Sequence, residues 1–208
     1  MRCRLCDGKT GDILHGQNRI FERCLTCTGI QVLQEYFEDP EIEKSHYLNH
    51  NNDVNDEQYK NFLNPVTSRI REDVSPNSVG LDYGCGTGPV AAVELQNAGY
   101  SVNLYDPFFE DHPEVLKKTY DFIICTEVME HFHQPHKEFA RLYDLLEDGG
   151  KLYCRTSLYS DDIDFYSWYY KNDPTHTFFY TEISLSWIKE EFGFSNLELQ
   201  PKLIVLSK

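Results

Sequence analysis

Val79-Gly80-Leu81-Asp82-Tyr83-Gly84-Cys85-Gly86-Thr87-Gly88-Pro89 is the stretch around which the rest of the chain can be read. An apolar, β-capable run ends in an acid, passes through three alternate glycines and opens onto the helix-forming Val90-Ala91-Ala92-Val93-Glu94-Leu95. Strand, tight loop and helix in that order make the first βα unit of a doubly wound sheet. Glycines at such a turn accept positive φ and let a ligand approach where a Cβ would collide. The spacing departs from the dinucleotide fingerprint G-x-G-x-x-G, because here an acid precedes G-x-G-x-G and Pro89 follows, so a nicotinamide cofactor is disfavoured. A second short strand, Ser101-Val102-Asn103-Leu104-Tyr105, closes on Asp106. That is about the 20-residue offset expected of a ribose-binding acid in nucleotide-binding βαβ units.

Leu81 to Gly88 resembles the first motif of the class I S-adenosylmethionine-dependent methyltransferases, in which the glycine loop lies against the methionine part of the cofactor and an acid ending the second strand holds the ribose hydroxyls. The resemblance implies an α/β fold: a doubly wound, Rossmann-like methyltransferase sheet, mostly parallel, with one antiparallel strand near the C-terminus. It implies cofactor contacts from Asp82, Gly84, Cys85, Gly86 and Gly88, from Asp106 and Pro107, and from Thr126 and Glu127 at the end of the following strand. After Asp106 the chain departs from the family. Only 13 residues, 107–119, precede the strand Tyr120–Cys125, too few for a second helix, third strand and third helix. The sheet is therefore expected to be trimmed at its third-strand edge, without the acid that usually meets the adenine amine. Pro107, Phe108 and Phe109 are candidates for an apolar wall in its place.

The chain begins with Cys3-x-x-Cys6 and, 17 residues later, Cys24-x-x-Cys27. This is zinc-ribbon spacing. Two knuckles complete a closed tetrahedral four-thiolate site with no open position, so the ion is expected to be structural Zn2+ rather than catalytic. Disulfides are the alternative, disfavoured by an expected cytoplasmic setting and by three more cysteines, Cys85, Cys125 and Cys154, at positions that suit small core fillers.

With 208 residues the chain can hold one full domain and a small appendage. No N-terminal apolar region and no long apolar run suggests a signal peptide or a membrane span. The net charge of −15 argues against tracking a phosphate backbone, and residues 1–36, with five Lys and Arg against four Asp and Glu, hide no basic arm. Three segments follow from these patterns: a zinc ribbon over 1–36, a helical connector and cofactor cover over 37–75, and a methyltransferase domain over 76–208. In the connector, Asp39-Pro40-Glu41 opens a short helix through Leu48, and Tyr47 and His50 are candidates to fold over the cofactor, as in many methyltransferases. Tyr59, Phe62, Leu63, Val66 and Ile70 recur at helical spacing through Pro65.

Beyond the strand at 120–125, Glu127, Glu130 and His131 resemble the E-V-x-E-H segment of ubiquinone-biosynthesis O-methyltransferases. The resemblance implies metal-assisted activation of a hydroxyl, with Mg2+ as the candidate ion; a plain strand-to-helix turn is the alternative. A helix is expected from Pro135 to Leu146, a turn at Asp148-Gly149-Gly150, and a strand over Lys151–Thr156. Residues 158–181 are loaded with aromatics, among them Phe165, Trp168, Tyr169 and Tyr170, and an insertion there is expected to form a substrate lid. Within it Asp173-Pro174-Thr175-His176 makes His176 the first candidate for a general base, oriented by Asp173, with His131, His133 and His136 as rivals and Glu130 as a further catalytic candidate. A D-P-T-H segment is also found at this place in the family. A helix capped by Thr181 and stopped by Gly193, then a hairpin over 196–206, complete the chain.

The expected function is methyl transfer from S-adenosylmethionine to a small-molecule acceptor, on O or C. Two alternatives stand beside it: an RNA methyltransferase whose zinc ribbon grips the nucleic acid, and a cofactor-binding protein without turnover. The oligomeric state is left open.

Overall fold

The computed structural model describes residues 1–16, 18–49 and 53–208. His50, half of the expected cofactor cover, lies outside the described residues.

The elements run β1 (Thr10–His15), β2 (Ile20–Cys24), β3 (Ile30–Val32), α1 (Pro40–Leu48), α2 (Glu57–Asp73), β4 (Val79–Tyr83), α3 (Val90–Asn97), β5 (Ser101–Tyr105), β6 (Tyr120–Thr126), α4 (Pro135–Asp144), β7 (Leu146–Arg155), β8 (Phe178–Phe179), α5 (Glu182–Phe192), β9 (Asn196–Gln200) and β10 (Leu203–Ser207). β5, β4, β6 and β7 are parallel neighbours; β10 then runs antiparallel to both β7 and β9, which gives the order β5-β4-β6-β7-β10-β9. One antiparallel strand near the C-terminus and an edge at β5 are what the resemblance and the short 107–119 segment implied. Side-chain alternation splits the sheet into two buried faces. Leu81 and Tyr83 pack toward α4 and α5, while Phe122, Ile124 and Tyr153 pack toward α2 and α3.

Helix ends follow their local chemistry. Asp56 caps α2 by accepting from Gln58 N at 2.8 Å, and Thr181 and Ser184 form a reciprocal capping box on α5, which stops at Gly193 in the left-handed region. The expected turn at Asp148-Gly149-Gly150 is instead a bulge inside β7. Tyr120 pairs with Leu146 and Phe122 with Lys151, so the surplus residues loop out of the ladder where Gly149 takes a φ of +80°. The preceding helix accordingly ends at Asp144 rather than Leu146.

The N-terminal hairpin does not stand apart from the rest. β1, β2 and β3 form a sheet completed by β8, from the aromatic insertion. The insertion's rings are mostly not lid surface. Phe165, Trp168, Tyr170 and Phe179 bury themselves with Phe21, Ile30 and Val32 in a third core, in edge-to-face contacts such as Phe21–Phe165 at 5.1 Å. Such aromatic pairs are worth about 0.5–1.5 kcal/mol beyond the area they bury. A hairpin too short to build its own core borrows one from the insertion, and for this reason Trp168 faces protein while Tyr166 and Tyr169 stay exposed. No helix among the described residues is long and apolar enough to cross a membrane.

Candidate active site

A cavity of 1240 Å3 opens at the carboxyl ends of β4, β5 and β6, the crevice where open α/β sheets bind ligands. One half is built by the glycine loop. Gly84 and Gly86 have φ of +80° and +62°. A Cβ on Gly84 would stand 2.5 Å from the Val128 side chain. The amides of Gly84 and Cys85 donate to Tyr105 O at 2.8 and 3.2 Å, stitching the loop to the end of β5. Asp106 is buried and pinned by backbone: Oδ2 accepts from Gly86 N at 3.0 Å, and Oδ1 from Phe108 N at 2.8 Å and Phe109 N at 3.2 Å. A carboxylate has about four acceptor positions, so one remains on Oδ2 to face the cavity.

Asp82, at the end of β4, is the second acid of this half. Burial lifts its pKa to about 7, opposed by the Ala92 backbone and reinforced by the charge of Asp106. Neither Asp82 nor Asp106 has a cationic partner among the described residues. Burial also raises Tyr59, on α2, to about 12, with Asp82 and Glu127 adding to the effect. Cys85, Gly88, Pro107, Phe108 and Thr126 line the same cavity, so the sequence-predicted cofactor residues do converge.

The other half is assembled from side chains of α1, the turn after β6 and the insertion. Glu127 takes a φ of +53°, rare for a residue with a side chain. Its carboxylate accepts from Arg155 Nε at 3.3 Å and Tyr170 OH at 3.1 Å. Glu127 thus shares the Tyr170 hydroxyl with Glu130, but it does not join Glu130 and His131 as the expected three-ligand group. Glu130, His131 and His176 come together instead, with one ligand atom of each within 4.8 Å of the others. Glu130 is completely buried, accepts from Tyr170 OH on Oε1, and its Oε2 has no hydrogen-bond partner among the described residues. Burial, then the charge of Glu127, raises Glu130 to about 8, so it keeps its proton at neutral pH.

Both imidazoles have a defined tautomer. A carbonyl can only accept, so His176 Nδ1 donates to Tyr170 O at 2.8 Å and His131 Nδ1 to Thr175 O at 3.2 Å, which makes Nε2 the acceptor nitrogen of each ring. The rings meet edge to face at 4.7 Å. His176 is only 6% exposed, and burial pushes its pKa down to about 4 against the pull of Asp173. Asp173 is not its main orienting partner. Asp173 Oδ1 accepts from Thr175 N at 2.9 Å and Thr175 Oγ1 at 2.6 Å, while Oδ2 is 3.3 Å from His46 and 3.9 Å from His176. Tyr47, from α1, lies 3.1 Å from His131 Nδ1 and donates to Glu43 at 2.7 Å. His133 lines the cavity but stacks on Phe37 at 4.3 Å, and His136 faces Glu191 away from it.

Glu43 was not singled out from the sequence, though the i, i+4 spacing of Glu43 and Tyr47 on one helix was an available signal. Of the expected lid, Tyr169, Tyr170, Asp173 and His176 reach the cavity and Trp168 does not.

The four knuckle cysteines also converge. Sγ atoms of Cys3 and Cys27 are 3.6 Å apart, those of Cys6 and Cys24 3.4 Å. Disulfide sulfurs sit at about 2.05 Å, whereas the edges of a tetrahedron with Zn–S bonds of about 2.3 Å are far longer. Gly8 N and Thr26 N point at Cys6 and Cys24 Sγ at 3.4 and 3.3 Å, as thiolate acceptors require. The donor set fits zinc.

Residues 55–199 match the family described as methyltransferase domain. Among curated proteins, the ubiquinone biosynthesis O-methyltransferase of Shewanella sp. (strain ANA-3) is 30% identical over 77 residues, 37% of this chain and 33% of the relative. That of Pseudomonas syringae pv. syringae (strain B728a) is 29% identical over the same shares. The chain thus matches about a third of the length of these curated relatives. Among solved structures, Burkholderia thailandensis 1,6-didemethyltoxoflavin-N1-methyltransferase, with bound 1,6-didemethyltoxoflavin and S-adenosylhomocysteine, superposes with a TM-score of 0.59 at 13% identity, covering 95% of this chain and 99% of that one. A SAM dependent methyltransferase from Archaeoglobus fulgidus gives 0.52 at 18% identity, over 72% and 99%. At these identities the likeness concerns the fold.

Proposed function

We propose, from the premise that this chain belongs to the methyltransferase-domain family over residues 55–199, that it binds S-adenosylmethionine in the glycine-loop half of the cavity and methylates a hydroxyl of a small planar acceptor in the other half. The observation that carries the reading is the division of one cavity into these two halves. In the first, two acids without cationic partners, Asp82 and Asp106, suit a ligand bearing an ammonium and a sulfonium, and the Gly84 loop leaves room for its approach. The glycine loop, Asp82, Asp106, Pro107 and Phe108 would hold the cofactor. When bound, S-adenosylmethionine supplies an electrophilic methyl group.

The chain's own residues do the rest. Tyr47, Tyr169 and Tyr170 wall the cavity with rings suited to a flat acceptor. His131 Nε2 takes the acceptor's proton, being on a half-buried ring beside the anionic Asp173 that stabilises the imidazolium. His176, more deeply buried and held neutral, fixes the edge of His131, and Glu130, wholly buried behind them, holds the Tyr170 hydroxyl. Holding the acceptor oxygen in line contributes through proximity, worth about 7–11 kcal/mol in well-oriented systems.

Mg2+ does not fit this donor set: Glu127 is engaged by Arg155, and one carboxyl with two imidazoles suits later first-row ions. Zinc at Cys3, Cys6, Cys24 and Cys27 is structural in this reading, because four thiolates leave no open position. Unbridged thiols suit a cytoplasmic setting, and the charge of −15 speaks against an RNA acceptor.

The test combines S-adenosylhomocysteine titration with methyl-transfer assays on a panel of phenols and catechols. His131→Ala should abolish product formation and His176→Ala lower it, both with wild-type affinity for S-adenosylhomocysteine. No binding of that ligand by the wild type would overturn the reading; transfer only to amines or carbon acids would overturn the choice of a hydroxyl.

A further inference from the structure

The N-terminal hairpin contributes nothing to the cavity wall among the described residues, whose lining begins at Glu43. It nevertheless reaches the segment that carries His176 through two arginines. Arg19 follows the β1–β2 turn, and its guanidinium donates to four main-chain carbonyls of one loop: Lys171 O, Asp173 O, Pro174 O at 3.0 Å and His176 O at 3.1 Å. Arg4 sits inside the first knuckle, between Cys3 and Cys6, and donates to Val32 O at 3.3 Å, His133 O at 3.0 Å and Thr177 O. Its backbone is braced in turn, since Arg4 N donates to the buried Gln31 side chain at 2.9 Å, which donates to Arg2 O at 3.0 Å.

The physical logic lies with the loop. Residues 171–176 belong to no sheet ladder, and the one loop amide among the described residues that returns to these carbonyls is His176 N, on Asp173 O at 3.3 Å, so Lys171 O, Pro174 O and His176 O draw on donors from elsewhere. Four carbonyls turned toward one point repel each other unless a cation sits there. A guanidinium offers five N–H groups in a rigid planar fork, whereas an ammonium offers three from a single atom. On one side of His176, then, Arg19 holds its own carbonyl; on the other, Arg4 holds the carbonyl of Thr177; and Tyr170 O fixes its ring.

We infer that Arg4 and Arg19 are positioning residues through which the four-cysteine hairpin holds residues 171–177, and with them His176 and the ring of His131, in working geometry. The inference rests on the proposed reading only in taking this loop as the acceptor side. Loss of an ion held by the cysteines would relax the knuckle that carries Arg4 and loosen the same loop from 144 residues or more away in sequence, counted from Cys27 to Lys171, without touching the glycine loop.

The experiment is hydrogen exchange on the full chain, following a peptide over 171–177 with one over 79–90 as internal reference, alongside S-adenosylhomocysteine titration. In Arg19→Ala, exchange at 171–177 should quicken by about tenfold or more while 79–90 keeps its protection. Cofactor affinity should stay at its wild-type value, Arg19→Lys should recover only part of the protection, and millimolar ethylguanidinium should restore it in the Ala variant. Chelation of zinc from the wild type should loosen the same peptide. Unchanged exchange at 171–177, loosening that spreads to 79–90, or absence of rescue would each overturn the inference; if Arg19→Ala does not fold, Arg4→Met and Arg19→Lys are read by the same criteria. A wild type that fails to bind S-adenosylhomocysteine would sink the functional reading instead, and the exchange data would still judge the clamp.

Discussion

The two halves of the cavity are made in different ways. The glycine-loop half comes from two short, adjacent segments, 82–89 and 105–109, and its geometry is held by main-chain hydrogen bonds: Gly84 and Cys85 to Tyr105, Gly86, Phe108 and Phe109 to Asp106. The acceptor half draws on α1, the turn after β6, and the insertion, and its geometry is held by side chains: Tyr47 on His131, Tyr170 between Glu127 and Glu130, Arg19 beneath the 171–176 loop. A half built from backbone tolerates little change in its glycines and binds one ligand well. A half built from side chains can be re-cut for new acceptors while the cofactor half stays as it is.

That contrast can be broken most forcefully at Gly84. In Gly84→Ala the new Cβ meets Val128 at 2.5 Å in a left-handed backbone, so S-adenosylhomocysteine binding should be lost by about 100-fold or more while the N-terminal sheet remains folded. Retained affinity by calorimetry would mean that the loop gives way easily and the backbone-built half is not rigid.

Asp106→Ala comes next. It removes the single remaining acceptor position on Oδ2 and also frees three amides that the carboxylate now receives. A hydrogen bond to a charged group is worth about 1.5–3 kcal/mol, so affinity should fall by roughly 10-fold to 100-fold. Equal affinities for wild type and variant would place the ribose-holding group elsewhere.

The smallest effect is at Asp82, and it is a matter of pH. Its folded-state pKa, about 7, lies above the ordinary value of 3.8. The folded protein therefore holds this proton while the unfolded chain has released it, and the stability Asp82 contributes is full below about pH 4 and lost as pH rises through 7. Ligand binding should run the other way, because the ligand's ammonium group prefers the ionised carboxylate. Affinity for S-adenosylhomocysteine should rise by up to about tenfold between pH 6 and 8, and Asp82→Asn should flatten that rise. Parallel pH profiles would show that Asp82 does not meet the ligand's charge.

The same contrast explains what could be read early. Asp82, the glycines and Asp106 obey spacing rules because the chain passes from strand to loop to helix within a few residues, and local sterics dictate the result. The four cysteines are legible for a like reason, since a knuckle is a local device. Even the trimmed edge at β5 follows from counting residues between two strands.

What only the tertiary structure decided is the company each distant side chain keeps. Nothing along the chain says that Glu127 turns to Arg155 while Glu130 joins His176, because 28 and 46 residues separate the partners and the choice depends on how β6, β7 and the insertion pack. Aromatic content alone could not tell a lid from a core: Trp168 and Tyr169 are adjacent residues, yet one is buried against the N-terminal sheet and the other faces solvent. Arg4 and Arg19 read as ordinary hairpin charges until β3 pairs with β8 and brings their guanidiniums under the loop of His176. The sequence by itself determined the backbone-made parts, the strand–loop–helix cradle and the cysteine knuckles, because short-range sterics and spacing act within a few residues. The side-chain network of the acceptor half was decided only by the fold, since long-range contacts arise from the burial of the whole chain and leave no period in the sequence.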